Sequence, residues 1–453
     1  MPDAPREGAR QPPDDRLGLS VAERPLESPA TLPQAPAARD VEILFRRESG
    51  RIVSGLCRVF GPARLELAED VVQETMVRAL RTWRFQGMPR DPAAWLMRTA
   101  RNLAVDHLRR DRWLKRREAV LEGWGLAAGA SPAEGAGGAR FAGEISDDQM
   151  AMVFLSCHPK IPRGSRVALT LRAAGGFTSD EIARALLTTP AAVAQGVARA
   201  KAALRRGRMA VALPGPTGLR ERTDLVLDAL YVMFSQGYHA QRGWDLIRRD
   251  VCDEALRLAE AVAAHPVTGG PAAHALAALF SFHAARFPAR VNEAGEMVLL
   301  RDQDRSRYDR ALLARGARHL DRAASGDRLT TWHLEADIAS CHSLAPSFDE
   351  TDWPHIVECY DRLLRLNPSP TVAVNRAVAL ARVRGPREAI EALERLRGWP
   401  SIRTYVPLPL ALASLYEEVG RMAEARKCIR EALALESSAP TRRHVRALLD
   451  SRS

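Results

Sequence analysis

The chain has 453 residues, a formal net charge of +11, 46% hydrophobic residues and only 6% aromatic ones. That length holds about three domains of ~150 residues each, and few aromatics with abundant Ala, Leu and Arg favour an all-α protein with real cores. Six scattered cysteines with no CxxC pair exclude a disulfide framework and point to a reducing cytoplasm, while the basic balance favours a polyanionic partner.

Residues 1–38 contain eight prolines and no periodic pattern, so they read as a disordered tail, charged rather than apolar and therefore not a signal peptide. Helical periodicity begins near Val41, and residues 42–60 form a helix that stops at Gly61-Pro62. The next helix, 70–84, carries Val72, Met76, Ala79, Leu80 and Trp83 as one apolar stripe. Asp70, Gln73 and Glu74 form a compact polar patch on another side. A loop at 85–91, with Gly87 and Pro89, leads to a basic helix over 92–117. Between Trp95 and Glu118 this helix has eight cations against three acids, with Trp95, Trp113 and Asn102 interleaved. Cations for phosphates and ring faces for unstacked bases suit single-stranded or melted DNA.

This pairing of helices resembles region 2 of bacterial sigma factors, specifically the small extracytoplasmic-function group. The matching residues are the D-x-x-Q-E-T run (Asp70, Gln73, Glu74, Thr75) and the W-L-x-R-x-A-R-N-x-x-x-D-x-x-R-R run from Trp95 to Arg110. The resemblance implies that Asp70, Gln73 and Glu74 dock on core RNA polymerase at its clamp. It also implies that Trp95, Arg98, Arg101, Asn102, Asp106, Arg109, Arg110 and Trp113 read and open the promoter −10 element, the 85–91 loop helping to capture an extruded base.

A Gly- and Ala-rich stretch follows and reads as a flexible linker over 119–146, a tether that lets two DNA-reading modules reach separate sites. Residues 147–208 form a second compact unit. Thr178 is placed to cap a short helix with Glu181 three residues later, a capping box; a turn at 187–190 precedes a helix over 191–208 with five cations and no acid. Short helix, turn and basic helix make a helix-turn-helix. It resembles sigma region 4 through Glu181, Ile182, Ala183, Leu186, Val193, Arg199, Ala200, Lys201 and Leu204. That resemblance implies −35 contacts from Gln195, Arg199, Lys201, Arg205 and Arg206, and a contact with the polymerase flap. Ala191, Ala192 and Ala194 offer few base-edge donors, so readout leans on phosphates and shape.

After a linker at 209–222, a helical extension covers 223–328. The uncharged run 261–285 is broken by Pro266, Gly269, Gly270 and Pro271, so it is expected to be a buried core helix, not a membrane span. Over 329–453 a repeat emerges: Ile390 sits 34 residues after Ile356 and 35 before Ala425, a tetratricopeptide-like period. The chain as a whole thus resembles the sigma subclass with such an extension, in which F-N-E-G-Y normally follows the boundary. Here the residues are Phe234-Ser235-Gln236-Gly237-Tyr238.

The charged run 303–310 reads as a helix-surface salt-bridge network or a binding edge. Cys341, His342, His355 and Cys359 come nearest to a zinc set, but they lack a CxxC-type knuckle and two of them lie within a repeat helix, so neither metal nor cofactor is expected. No Gly-rich phosphate loop, nucleophile elbow or HExxH is present, which leaves an enzyme without support. The expectation is a cytoplasmic promoter-specificity subunit, with core RNA polymerase and promoter DNA as partners. Its C-terminal domain regulates, with a protein or peptide as a further candidate partner for the repeats. A helix-turn-helix regulator independent of polymerase, or a solenoid scaffold binding RNA or acidic partners, are the alternatives.

Overall fold

A computed structural model describes residues 38–122, 141–186, 188–207, 214–238, 247–293, 298–399, 402, 405–435 and isolated positions from 442 to 449. Nearly all of the expected N-terminal tail, the middle of the first linker and part of the second lie outside these residues. Helices are the repetitive structure among the described residues. The first unit comprises α1 (Ala38–Phe60), α2 (Leu65–Gln86) and α3 (Pro92–Glu122). The second comprises α4 (Phe141–Ser156), α5 (Arg163–Ala173), α6 (Ser179–Ala185) and α7 (Pro190–Gly207). Helices α3 and α4 therefore extend into both ends of the span expected to be linker.

The two units share a core. Ile52, Leu56, Leu65, Trp83, Leu96 and Leu103 of the first cluster with Met152, Leu155, Leu169 and Leu204 of the second, all at most 4% exposed. The cause lies in α1, which is apolar on more than one side and so packs on α2 and α3 and also on α4 and α5. Where α1 meets the end of α5 the backbones nearly touch: a Cβ at Gly50 would lie 2.1 Å from the Ala174 carbonyl oxygen, so only glycine fits. At ~1.5–3 kcal/mol per buried large aliphatic side chain, this contact is substantial. The picture of two independently tethered modules is therefore corrected for this conformation.

The far side of the second unit runs on into the extension. Phe154, Phe177, Ile182 and Val193 join one cluster with side chains of α8 (Pro216–Tyr238), α9 (Arg249–Ala264) and α10 (Pro271–Ala285). Helix α10 is buried almost all round, as its uncharged sequence predicts. No helix among the described residues is long and apolar enough to cross a membrane. A short α11 (Phe287–Arg290) and α12 (Arg310–Ala323) close this layer.

The charged run 303–310 is not a surface network. Asp304 and Asp309 cap the helical turns that follow them, Tyr308 is buried with its hydroxyl donating to Gln303, and Arg305 donates to the carbonyls of His342 and Ala345. The segment serves to seat the next helix. Three helix pairs complete the chain: α13 (Thr331–Leu344) with α14 (Trp353–Leu366), α15 (Pro370–Arg384) with α16 (Pro386–Leu396), and α17 (Pro407–Glu418) with α18 (Met422–Leu435). Ile356, Ile390 and Ala425 are each buried, in α14, α16 and α18 respectively.

Candidate nucleic-acid and polymerase interface

On α2, Asp70 and Gln73 are exposed and Glu74 partly so. The Glu74 carboxylate accepts from Arg78 at 3.1 Å and lies 3.1 Å from His107 Nε2. The hydrogen bond from His107, foremost, holds it below the usual carboxylate range. Val77 and Leu80, 45% and 52% exposed, continue the same face one and two turns on from Gln73. Leu80 was expected in the buried stripe. Its place is taken by Val71 and Thr75, both 0% exposed, and the Thr75 hydroxyl donates to the Val71 carbonyl, so its burial leaves no orphan donor. The patch is thus acidic and amide at one end and apolar at the other.

Helix α2 ends at Gly87, whose φ of 74° is left-handed and whose N–H donates to the Trp83 carbonyl. Phe85, beside that turn, is 80% exposed. The sequence reading ended the helix at Arg84 and placed Phe85 in the loop without singling it out; the helix runs on to Gln86, so Phe85 stands in its last turn. Asp91 then accepts the Ala94 N–H and starts α3. Along α3, Leu96, Ala100, Leu103 and Ala104 face the core, which turns Arg98, Arg101, Asn102, Asp106, Arg109 and Arg110 outwards. Trp95 differs from its expected role as an open ring face: it is half-buried and packs edge-on against Trp83, centroids 5.4 Å apart. The Trp113 side chain lies outside the described residues.

In the second unit, the Thr178–Glu181 capping box forms as expected, and α6 and α7 pack through Ile182, Ala183 and Val193. Gln195, Arg199 and Arg206 are exposed on one side of α7. Lys201 and Arg205 are not available there. Lys201 pairs with Glu69 at 2.5 Å and Arg205 with Glu66 at 2.9 Å, both acids in the first turns of α2. Arg172 reaches the same Glu69 at 3.2 Å. The physical reason is helical phase: Lys201 and Arg205 are one turn apart on the flank of Leu204, the residue α7 buries in the shared core. On the opposite side, Arg248 of the extension donates to Glu181 at 2.6 Å and lies over the Phe177 ring. Arg51 bonds Glu254 at 3.3 Å, linking α1 to α9 directly.

The Phe234–Tyr238 motif also finds a place. Phe234 stacks on Phe280, centroids 4.1 Å apart, and Phe234, Ser235 and Tyr238 line a cavity of about 470 Å³ that α13, α14 and α15 also line. Glu335 and His342 of α13 face it. Burial pushes the Glu335 carboxyl up to about 7, and burial with the nearby Arg286 and Arg305 pushes the His342 imidazole down to about 3.

Family comparisons agree with this division. Residues 44–114 match "Sigma-70 region 2" and residues 151–204 match "Sigma-70, region 4". Residues 222–324 match a family of unknown function, DUF6596. A protein of Rhizobium meliloti (strain 1021) called "Uncharacterized protein R00370" is 34% identical over 387 residues, covering 85% of this chain and 90% of its own. No solved structure matches.

Proposed function

The chain belongs to the same family as the Rhizobium meliloti protein and carries sigma-70 regions 2 and 4, and from that premise we propose that it is an RNA polymerase sigma factor directing core enzyme to specific promoters. The observation that carries the reading is the coincidence of the two matches, in order, with the α2–α3 pair and the α6–α7 helix-turn-helix. Asp70, Gln73 and Glu74, extended by Val77 and Leu80, dock on the polymerase clamp. The outward face of α3, from Arg98 to Arg110, holds the −10 strand by phosphate contacts, and Phe85 supplies the ring on which an unstacked base rests. Gln195, Arg199 and Arg206 contact the −35 duplex at once; Lys201 and Arg205 join them when α7 leaves α2. The work is binding rather than covalent chemistry, and it takes place in the cytoplasm, where polymerase and promoter are.

The C-terminal domain regulates. We read its helices from Thr331 onwards as tetratricopeptide-like pairs, a reading that supports assigning the chain to the extracytoplasmic-function subclass with that extension; their partner is a protein or peptide. Its grip on Glu181 and on α1 supports a restraining role, since α6 is held on the extension by Arg248. Because the extension shares a core with α4–α7, truncation would strip Phe154 and Ile182 bare. Substitution at the contact is the cleaner test. Core polymerase should be retained by the immobilised full chain and lost with Asp70→Arg/Gln73→Glu; a plain helix-turn-helix regulator would retain none. Arg248→Ala should raise promoter output if the extension restrains, and lower it if the extension is required.

A further inference from the structure

Helices α13 and α14 face each other with donor atoms at matching intervals. Asp337 and Cys341 are one turn apart on α13, and His355 and Cys359 are one turn apart on α14, so each pair stacks on one helix face. His355 Nε2 lies 2.9 Å from Asp337 Oδ2; Cys359 Sγ lies 3.4 Å from that oxygen and 3.5 Å from the imidazole nitrogen. All three ligand atoms fall within 4.8 Å of one another. A tetrahedral zinc ion, with Zn–N of ~2.0 Å and Zn–S of ~2.3 Å, needs its nitrogen and sulfur donors ~3.5 Å apart. The helices hold them at that separation.

We propose that Asp337, His355 and Cys359, with Cys341 as fourth donor, form a zinc site that clamps α13 to α14. Counting cysteines and histidines along the sequence suggested Cys341, His342, His355 and Cys359 and gave no reason to prefer metal. Helical phase changes the set. His342 is ~100° further round α13 than Cys341, and its ring goes to the cavity side and to Trp353, centroids 5.2 Å apart. Asp337, one turn before Cys341, takes the vacated place.

Three features go beyond an ordinary Asp–His hydrogen bond. Cys359 is 1% exposed, yet its thiol contacts a carboxylate and an imidazole, both metal ligands, inside an otherwise apolar cluster of Ile338, Ile356 and Leu363. Cys341, one turn on from Asp337 along α13, packs on that same cluster, so a second sulfur stands beside the three converging atoms. Asp337 and His355 keep 37% and 40% of their side chains exposed, which gives an ion a way in without opening the core. A converging sulfur, imidazole and carboxylate, with a second sulfur one turn away on α13, select a borderline-soft tetrahedral ion over magnesium or calcium, which want oxygen. Loading would fix α13, whose other side carries Glu335 and His342 into the cavity.

The test uses the purified full chain and cobalt(II) as probe, with zinc content measured in parallel. One equivalent of cobalt should produce tetrahedral d–d bands and a thiolate charge-transfer band, and one equivalent of zinc should displace it. Cys359→Ser should abolish the charge-transfer band or reduce it to the Cys341 share, Cys341→Ser should roughly halve it, and His355→Gln, at a partly exposed ring, should weaken binding at least tenfold with an unchanged circular dichroism spectrum. No cobalt spectrum and no retained zinc in the wild-type chain would overturn the site. So would a spectrum that survives intact in both Cys359→Ser and His355→Gln. An unchanged band in Cys341→Ser would remove Cys341 from the set.

Discussion

Lys201 Nζ lies 2.5 Å from Glu69 Oε2, each side chain only 14% exposed, and so ties the basic helix of the helix-turn-helix to the start of α2. Arg172 shares the acid. Removing Glu69 leaves two cations facing each other in a half-dry site, which costs more than the lost pair alone. Glu69→Ala should therefore loosen α7 and strengthen binding of the free chain to a −35 duplex by roughly five- to thirtyfold, equivalent to ~1–2 kcal/mol. Fluorescence anisotropy at one fixed salt concentration measures it; equal affinities would show that the pair does not restrain α7.

Gly50 gives the same closure a steric test. Gly50→Ala drives a methyl group into the Ala174 carbonyl, and overpacking of this kind costs ~1–3 kcal/mol. The melting temperature should fall, and amide exchange should rise in α5 and α1 before it rises in α3. Uniform exchange would contradict a separable contact.

Phe85 is exposed, so its loss should be silent in stability and loud in melting. Phe85→Ala should leave the unfolding midpoint unchanged yet slow open-complex formation by about tenfold, in keeping with ~1–3 kcal/mol for a base stacked on a ring. Potassium permanganate reactivity of −10 thymines reads this out. Normal reactivity would mean the ring holds no base.

The His342 imidazole, ordinarily titrating at 6.5, is pushed down to about 3 by burial and by Arg286 and Arg305. A depressed folded value means that the neutral ring stabilises the fold above 6.5, and that this contribution drains away as pH falls from there towards 3. Near pH 5 the loss is on the order of 2 kcal/mol. His342→Asn should flatten the acid limb of a stability–pH curve measured by urea denaturation; an unaltered limb would place the sensitivity elsewhere, His319 being the next candidate.

Much of this was legible in the sequence because the signals were local. The capping box at Thr178 and Glu181 and the stop at Gly61-Pro62 each depend on a few neighbouring residues, and each stands where its spacing put it. What failed depended on partners far along the chain. Leu80 satisfies a helical stripe but faces outwards because α1 and α3 cover Val71 and Thr75 instead. Lys201 and Arg205 look like free DNA cations until Glu66 and Glu69, before the first helix residue that the pattern recognised, are brought against them. Trp95 reads as an open ring only while Trp83 is out of view.

The most direct test of the central claim is run-off transcription with purified core RNA polymerase on the DNA upstream of this protein's own gene. A sigma factor predicts a discrete transcript that requires the chain, weakens at least tenfold with Asp70→Arg/Gln73→Glu, and depends on Arg98 and Arg101. If core enzyme gives the same transcripts with and without the wild-type chain, and does not bind it, the account is wrong.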